Sequence, residues 1–332
     1  MSPQYLVFGN LTREFLLPAS GSPRLDALGG SLSYAGAGTR VWVGESDVGL
    51  VGRVGDDYPR AWLNEVKGRG FDTEGVRILP QNLDVREFLS YSESFEPTPA
   101  NPVAQFARRE LTIPKSLFGY QPLEERGGRE SSRLVVTDIP EEYLSARAAL
   151  LCPMDLSTQN QLMAGLKRGN IHTLLLAPSS VDMNPGAKRT LPVFLSGVTA
   201  LLLSQEELRN LFWGETHDLW EMAEAVALYG CEYVVIKCGA QGQLLYAAGA
   251  KKKYEIPAYP ARLADLTGAG DAFNGGFLAG YCKNYDPLEA MFHGSVSASL
   301  KVEGSGAFYP LDVLPGLAEA RLNVVKGLAR DV

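Results

Sequence analysis

Cysteine is scarce in this chain. Cys152, Cys231, Cys238 and Cys282 are the only four among 332 residues, and no two of them form a C-x-x-C pair, so the spacing of a zinc site is missing. So few thiols in so long a chain fit a reducing cytosol rather than a disulfide-stapled secreted fold, and a cytoplasmic location is expected. Cys238 and Cys282 fall within apolar runs and read as inert core residues. Long apolar runs are missing too: none reaches the ~20 residues that span a bilayer. The opening Met1-Ser2-Pro3-Gln4-Tyr5-Leu6 carries neither the charged n-region nor the long apolar h-region of a signal peptide. Basic charge is in deficit. A net charge of −7 argues against a nucleic-acid partner, because a phosphate backbone is gripped by an excess of Lys and Arg. It does not argue against a nucleotide, which local amides and a metal can hold.

What is present is ordinary globular material, 45% hydrophobic and 21% charged, with ample apolar content for a large core. The length allows one large α/β domain or two smaller ones. Short β-rich runs at Tyr5–Gly9, Val48–Val54, Leu134–Thr137, Leu150–Met154, Thr173–Ala177, Thr199–Leu203 and Tyr233–Lys237 read as strands. Several are apolar throughout, as strands covered on both faces are. Helical patterns at Pro59–Gly70, Ser157–Arg168, Gln205–Phe212, His217–Tyr229 and Asp271–Cys282 lie between them, with Ser157 and Ser204 as N-cap candidates. This alternation predicts an α/β fold, a mostly parallel sheet with helices on both faces and ligands at the C-terminal strand ends.

One region breaks the rhythm. Val85–Glu93 and part of Leu11–Leu17 alternate in polarity, and neither leads promptly into a helix. They read as antiparallel strands of a small separate sheet. Phe95–Gln121 is Pro-rich, irregular and long for a structureless loop. Glu124–Ser132 is charged and reads as an exposed connection.

The stretch Asp265-Leu266-Thr267-Gly268-Ala269-Gly270-Asp271-Ala272-Phe273-Asn274-Gly275-Gly276 carries the chemistry. Three small residues precede an acid, and the acid opens a helix-like run. The amides of Gly268, Ala269 and Gly270 can curl around an anion, helped by the positive end of the helix. Asp271 then stands beside whatever anion is held. A carboxylate against a phosphate is repulsive unless it works as a base on the attacking hydroxyl. A dinucleotide fingerprint fails, because its third glycine would fall at Phe273; a P-loop fails, because no Gly-Lys-Ser/Thr ends the string.

This string resembles the C-terminal signature of the ribokinase-like (PfkB) carbohydrate kinase family. Other stretches resemble that family's motifs in the right order. They are Gly29-Gly30 with the helical Ser31–Gly38, Val48 to Asp57, Ser204-Gln205-Glu206-Glu207 in place of N-x-x-E, and Val234 to Gly242. The resemblance implies a single ribokinase-like kinase domain over residues 1–332, with antiparallel β lid segments near 11–33 and 85–113 that close over the acceptor. A homodimer through the lid is one expectation. The implied cofactors are ATP, Mg²⁺ and K⁺.

Residue by residue, the resemblance makes Asp271 the catalytic base and Gly268, Ala269 and Gly270 the anion hole. Lys237, Gly239, Gly242, Gly304 and Gly306 become candidates for the nucleotide pocket. Glu207 matches the acid that helps hold Mg²⁺ through water, and Ser204 with Glu207 also reads as a capping box. Asp265 and Thr267, with the turn Glu303–Ala307, match a potassium site; Asp265 capping a turn is the equal alternative. Glu14, Gly29, Gly30 and Tyr34 fall on the substrate side. Glu14 stands where the family has Asp and Tyr34 where it has Asn, so the reach and shape of the acceptor pocket differ, and Tyr34 also reads as core packing. The expected activity is transfer of the γ-phosphate of ATP to a hydroxyl of a small sugar or polyol. A nucleoside or inositol kinase is the alternative within the family, and a non-catalytic binding or regulatory relative the alternative outside enzymes.

Overall fold

The computed structural model describes residues 2–122 and 133–331. The thirteen strands among them are, in chain order, β1 Tyr5–Phe8, β2 Thr12–Leu17, β3 Arg24–Gly29, β4 Val48–Val54, β5 Asp72–Ile78, β6 Arg86–Ser90, β7 Ala148–Leu151, β8 Thr173–Leu176, β9 Ala200–Ser204, β10 Tyr233–Lys237, β11 Gln243–Ala247, β12 Lys252–Ile256 and β13 Arg330–Asp331. Ten of them form one sheet in the order β13-β12-β11-β10-β9-β8-β7-β1-β4-β5. From β10 through β5 every neighbouring pair is parallel, and β11, β12 and β13 continue the sheet antiparallel.

Both faces of this sheet are covered, which is why its central strands are apolar without alternation. In β1, Tyr5 and Val7 enter one core while Leu6 and Phe8 enter the other. The first core holds the helices Ser31–Arg40, Ala269–Asn284 and Pro287–Lys301; the second holds Leu156–Leu166, Gln205–Leu211 and Leu219–Ala227.

The remaining strands make a separate small sheet in the order β3-β2-β6. β2 pairs antiparallel with β3, a strand not read from the sequence, with a bulge between Glu14 and Phe15, and not with the expected Val85–Glu93 segment. β6 joins as a parallel third strand that sets Glu14 opposite Glu87. The irregular stretch 95–121 is not a bare loop. It contains the helix Pro102–Arg108, capped by Asn101, and its Phe106 and Leu117 bury against Phe15, Leu17 and Phe88. The small sheet therefore has its own apolar core, in which each fully buried Phe contributes about 1.5–3 kcal/mol.

Several expectations shift. Leu134–Thr137 is not a strand. A 3-10 turn forms at Val136–Asp138 because the Asp138 carboxylate accepts from Val135 N at 2.8 Å and pairs with Arg53 at 2.7 Å. The helix expected to be capped by Ser157 starts one residue earlier, with Asp155 accepting from Thr158 N. Ser204 does cap its helix, in a reciprocal capping box with Glu207. The expected connection at Glu124–Ser132 lies outside the described residues but for its last neighbour, Arg133.

Candidate active site

Gly268 turns the chain into the helix Ala269–Asn284 with a left-handed φ of 74°. A Cβ there would lie 2.2 Å from the Tyr34 ring, so no side chain fits on either count. The first-turn amides do not all point free, as the sequence suggested. Ala269 N donates to Leu266 O at 3.1 Å. The amides of Gly268, Gly270 and Asp271 have no acceptor among the described residues, so of the expected trio Gly268, Ala269 and Gly270 only Ala269 is committed to the protein.

Asp271 lies in that first turn. Its desolvated setting lifts its pKa to about 6; Lys237 pulls it down, while the charges of Glu87 and Glu207 push it up. Lys237, at the end of β10, donates from Nζ to Asn274 Oδ1 at 3.1 Å. Asn274 is 1% exposed, and its Nδ2 has no partner. Nothing in the sequence alone gives Asn274 a role of its own. Its position three residues after Asp271, on the same helix face, was the available signal.

Asp265 makes two sets of contacts. Its Oδ1 accepts from Thr267 N at 2.9 Å, the turn-capping alternative. Its Oδ2 faces the Lys301 ammonium at 3.5 Å, and its main-chain oxygen accepts from the same ammonium at 3.4 Å. Gly304 O completes the group at 2.9 Å from Lys301 Nζ. Asp265 and the 303–307 turn do converge, but across a lysine side chain that sequence reasoning missed. Lys301 is fully buried; burial lowers its pKa from the ordinary lysine range, and the Asp265 carboxylate opposes that shift. The residues therefore do not fit a free K⁺ ion, because a fixed cation already occupies the acceptors that would coordinate it.

Glu14 and Tyr34 also converge, on each other. Tyr34 OH donates to Glu14 Oε2 at 2.7 Å, and Gly30 N donates to Oε1 at 3.2 Å. Both side chains are buried, at 1% and 2% exposure. Burial, with the neighbouring charge of Glu87, raises the Glu14 pKa to about 8, against the pull of these two donors. Gly29 sits so close that a Cβ would fall 2.0 Å from Glu14 Cδ. The four substrate-side candidates thus form a packed unit beneath Gly268, and the Glu14 oxygens are committed to protein donors.

A cleft of about 390 Å³ opens beside this unit, lined by Asn10, Thr12, Glu87, Met154, Asp155 and Ser180, among others. Thr12 Oγ1 is buried without a partner. The lid reaches the signature turn directly: Thr267 Oγ1 donates to Tyr91 OH at 3.3 Å, just past the end of β6. Across the cleft, Ser180 Oγ donates to Glu207 Oε1 at 2.8 Å, and Ser204 N donates to Oε2 at 2.7 Å. Of the nucleotide candidates, Lys237, Gly239 and Gly242 lie together at the β10–β11 turn. Gly304 accepts from Lys301 through its main-chain oxygen, and a Cβ at Gly306 would meet the Arg24 guanidinium.

The residues present fit a bound phosphate: unpaired first-turn amides, an ammonium and a buried carboxamide NH₂ meet at one helix N-terminus. Among the described residues no group of three or more His, Cys, Asp or Glu is placed to hold a metal alone. A magnesium ion here would be of the kind that shares its ligands with phosphate and water.

The model of the pfkB family carbohydrate kinases matches residues 135–314. This chain belongs to the PfkB family of carbohydrate kinases. It is 28% identical to the cytidine kinase of Thermococcus kodakarensis over 291 residues, 86% of this chain and 90% of that one. The nucleoside kinase of Burkholderia thailandensis in complex with inosine superposes with a TM-score of 0.71 at 17% identity, covering 97% and 99% of the two chains. A ribokinase II of E. coli in complex with ATP and Mg²⁺ gives 0.70 at 15% identity over 98% and 100%. The fold is ribokinase-like, and the protein is a kinase, a phosphotransferase. ATP with Mg²⁺ is the phosphoryl donor system of such kinases. No helix among the described residues is long and apolar enough to cross a membrane.

Proposed function

We propose that this kinase transfers the γ-phosphate of ATP to a primary hydroxyl of a small sugar-bearing acceptor, with Asp271 as the base. The observation that carries the reading is the position of Asp271: a half-buried carboxylate in a helix first turn, next to unpaired amides, with its pKa lifted to about 6. Bound ATP and Mg²⁺ supply the transferable group and the charge that offsets it. Asp271 accepts the proton of the acceptor hydroxyl. The amides of Gly268, Gly270 and Asp271 face the charge that develops on the phosphoryl oxygens. Lys237 and Asn274 hold the nucleotide phosphates from the β10 side, and Gly239 and Gly242 let the backbone approach the rest of the nucleotide. Glu207 holds Mg²⁺ through water while it caps its helix.

The acceptor lies in the cleft between lid and sheet. Asn10, Thr12 and Glu87 grip its hydroxyls, and the packed Glu14–Tyr34 pair with Gly29 and Gly30 shapes the floor beneath. A nucleoside is favoured over a free sugar or polyol because the cleft is mixed. Leu11, Val85, Leu134, Pro153, Met154 and Val181 add apolar wall that a free polyol does not use and a base does. ADP release measured with Mg²⁺ against nucleosides, sugars, polyols and inositols tests this. Turnover confined to free sugars would reject the nucleoside, and none with any acceptor would reject the activity. A homodimer through the lid is tested separately by light scattering.

A further inference from the structure

The last residue of the helix Pro287–Lys301 is a lysine with no exposure to solvent. Its ammonium has three protons to donate and finds three oxygens: Gly304 O at 2.9 Å, Asp265 O at 3.4 Å and Asp265 Oδ2 at 3.5 Å. The Tyr34 ring lies 5.5 Å away and offers its negative face. Two main-chain carbonyls, a carboxylate and an aromatic face form a set suited to one compact monovalent cation. A buried charge is expensive and persists only where such partners are fixed around it.

What the ammonium holds is the approach to the phosphate-facing turn. Asp265 Oδ2 faces Lys301 while Oδ1 accepts from Thr267 N at 2.9 Å. Thr267 immediately precedes Gly268. The Tyr34 ring, which closes the other side of Gly268, lies between Lys301 and the Glu14 carboxyl. The cation thus supports Gly268 from two directions at once.

We propose that Lys301 is a tethered monovalent cation: it orders the Asp265–Thr267–Gly268 turn that faces the transferring phosphoryl group, and it makes free K⁺ dispensable for this enzyme. Lys301 touches neither substrate nor phosphate and acts as a positioning residue. The inference rests on the kinase reading for its link to turnover, but its cation chemistry can be read without any acceptor.

The experiment has two arms. Wild-type protein is compared in K⁺, Na⁺ and choline buffers of equal ionic strength, by thermal unfolding, by ADP binding and by turnover. Equal values in all three support the proposal, and a specific gain in K⁺ overturns it. In the second arm Lys301→Ala opens the cation position while Lys301→Met keeps the packing of the stem. For Lys301→Ala without K⁺ or NH₄⁺, turnover should fall by roughly ten- to a hundred-fold, the size of a lost charge-assisted hydrogen bond. Added NH₄⁺ or K⁺ should restore it in a saturable way and raise the Tm, whereas choline should do neither and Lys301→Met should not be rescued. Full activity of Lys301→Ala in choline would overturn the proposal. If no acceptor is turned over, the kinase assignment fails by itself, and the Tm and ADP-binding arms still decide the cation. If both variants fail to fold, the wild-type arm decides.

Discussion

The hydroxyl of Tyr34 donates to Glu14 Oε2 at 2.7 Å while the ring of the same tyrosine lies against Gly268. One side chain therefore joins the buried acid of the lid strand to the turn at the start of the signature helix. Two of the positions where this chain departs from the pattern it resembles, Glu14 for an Asp and Tyr34 for an Asn, belong to one contact.

That contact has a pH signature. The Glu14 pKa is raised to about 8 in the folded protein from an ordinary carboxylate value of 4.5. The folded state therefore binds the proton more tightly, and the stability this contributes is complete below pH about 4.5 and lost as pH rises to about 8. Glu14→Gln mimics the protonated form. We expect the variant to lose this part of the decline in Tm between those limits, measured against wild type at matched ionic strength. Parallel Tm curves would show that Glu14 titrates normally.

Asp271→Asn should cost about 10²–10⁴-fold in turnover, since an amide cannot accept the proton. ADP binding by calorimetry should survive, because the unpaired amides and Lys237 are untouched. Wild-type turnover on the chosen acceptor would remove Asp271 from the role of base.

The kcat/KM profile should lose activity below pH about 6, where Asp271 becomes protonated. Lys237 lowers that pKa. Lys237→Met should therefore shift the acid limb to higher pH as well as weaken ATP binding. A limb that stays in place would mean that the group titrating in the profile is not Asp271.

Glu87→Gln should raise KM for the acceptor by roughly ten- to a hundred-fold, the loss of one charge-assisted hydrogen bond to a hydroxyl. KM for ATP should change far less. Equal effects on both substrates would place Glu87 outside the acceptor pocket.

The parallel core of the fold was legible because buried strands write themselves as apolar runs: β4 and β10 carry the expected bounds, Val48–Val54 and Tyr233–Lys237. The strands β11 and β12 were not legible. The Lys251-Lys252-Lys253 run between and within them reads as a solvated face, and only antiparallel pairing of β11 with β10 and of β12 with β11 makes them sheet. The turn at Gly268 and the helix that carries Asp271 were legible because a small-residue turn before a helix is a local pattern. Asn274 and Lys237 meet only through the fold. Lys301 was invisible for a plainer reason: a lysine at the end of a helix ordinarily reads as a favourable interaction with the helix dipole in solvent, and nothing in its neighbours announces that solvent is absent.

The surroundings of the turn at Gly268 are assembled from distant parts of the chain. Glu14 and Tyr34 come from the first strands and helix, whereas Asp265, Gly268 and Lys301 come from the last third. Such long-range contacts close late, because loop entropy must be overcome before they form. A chain emerging from the ribosome can fold its N-terminal strands early, yet the contacts that fix the approach to Gly268 are complete only with Lys301 in place.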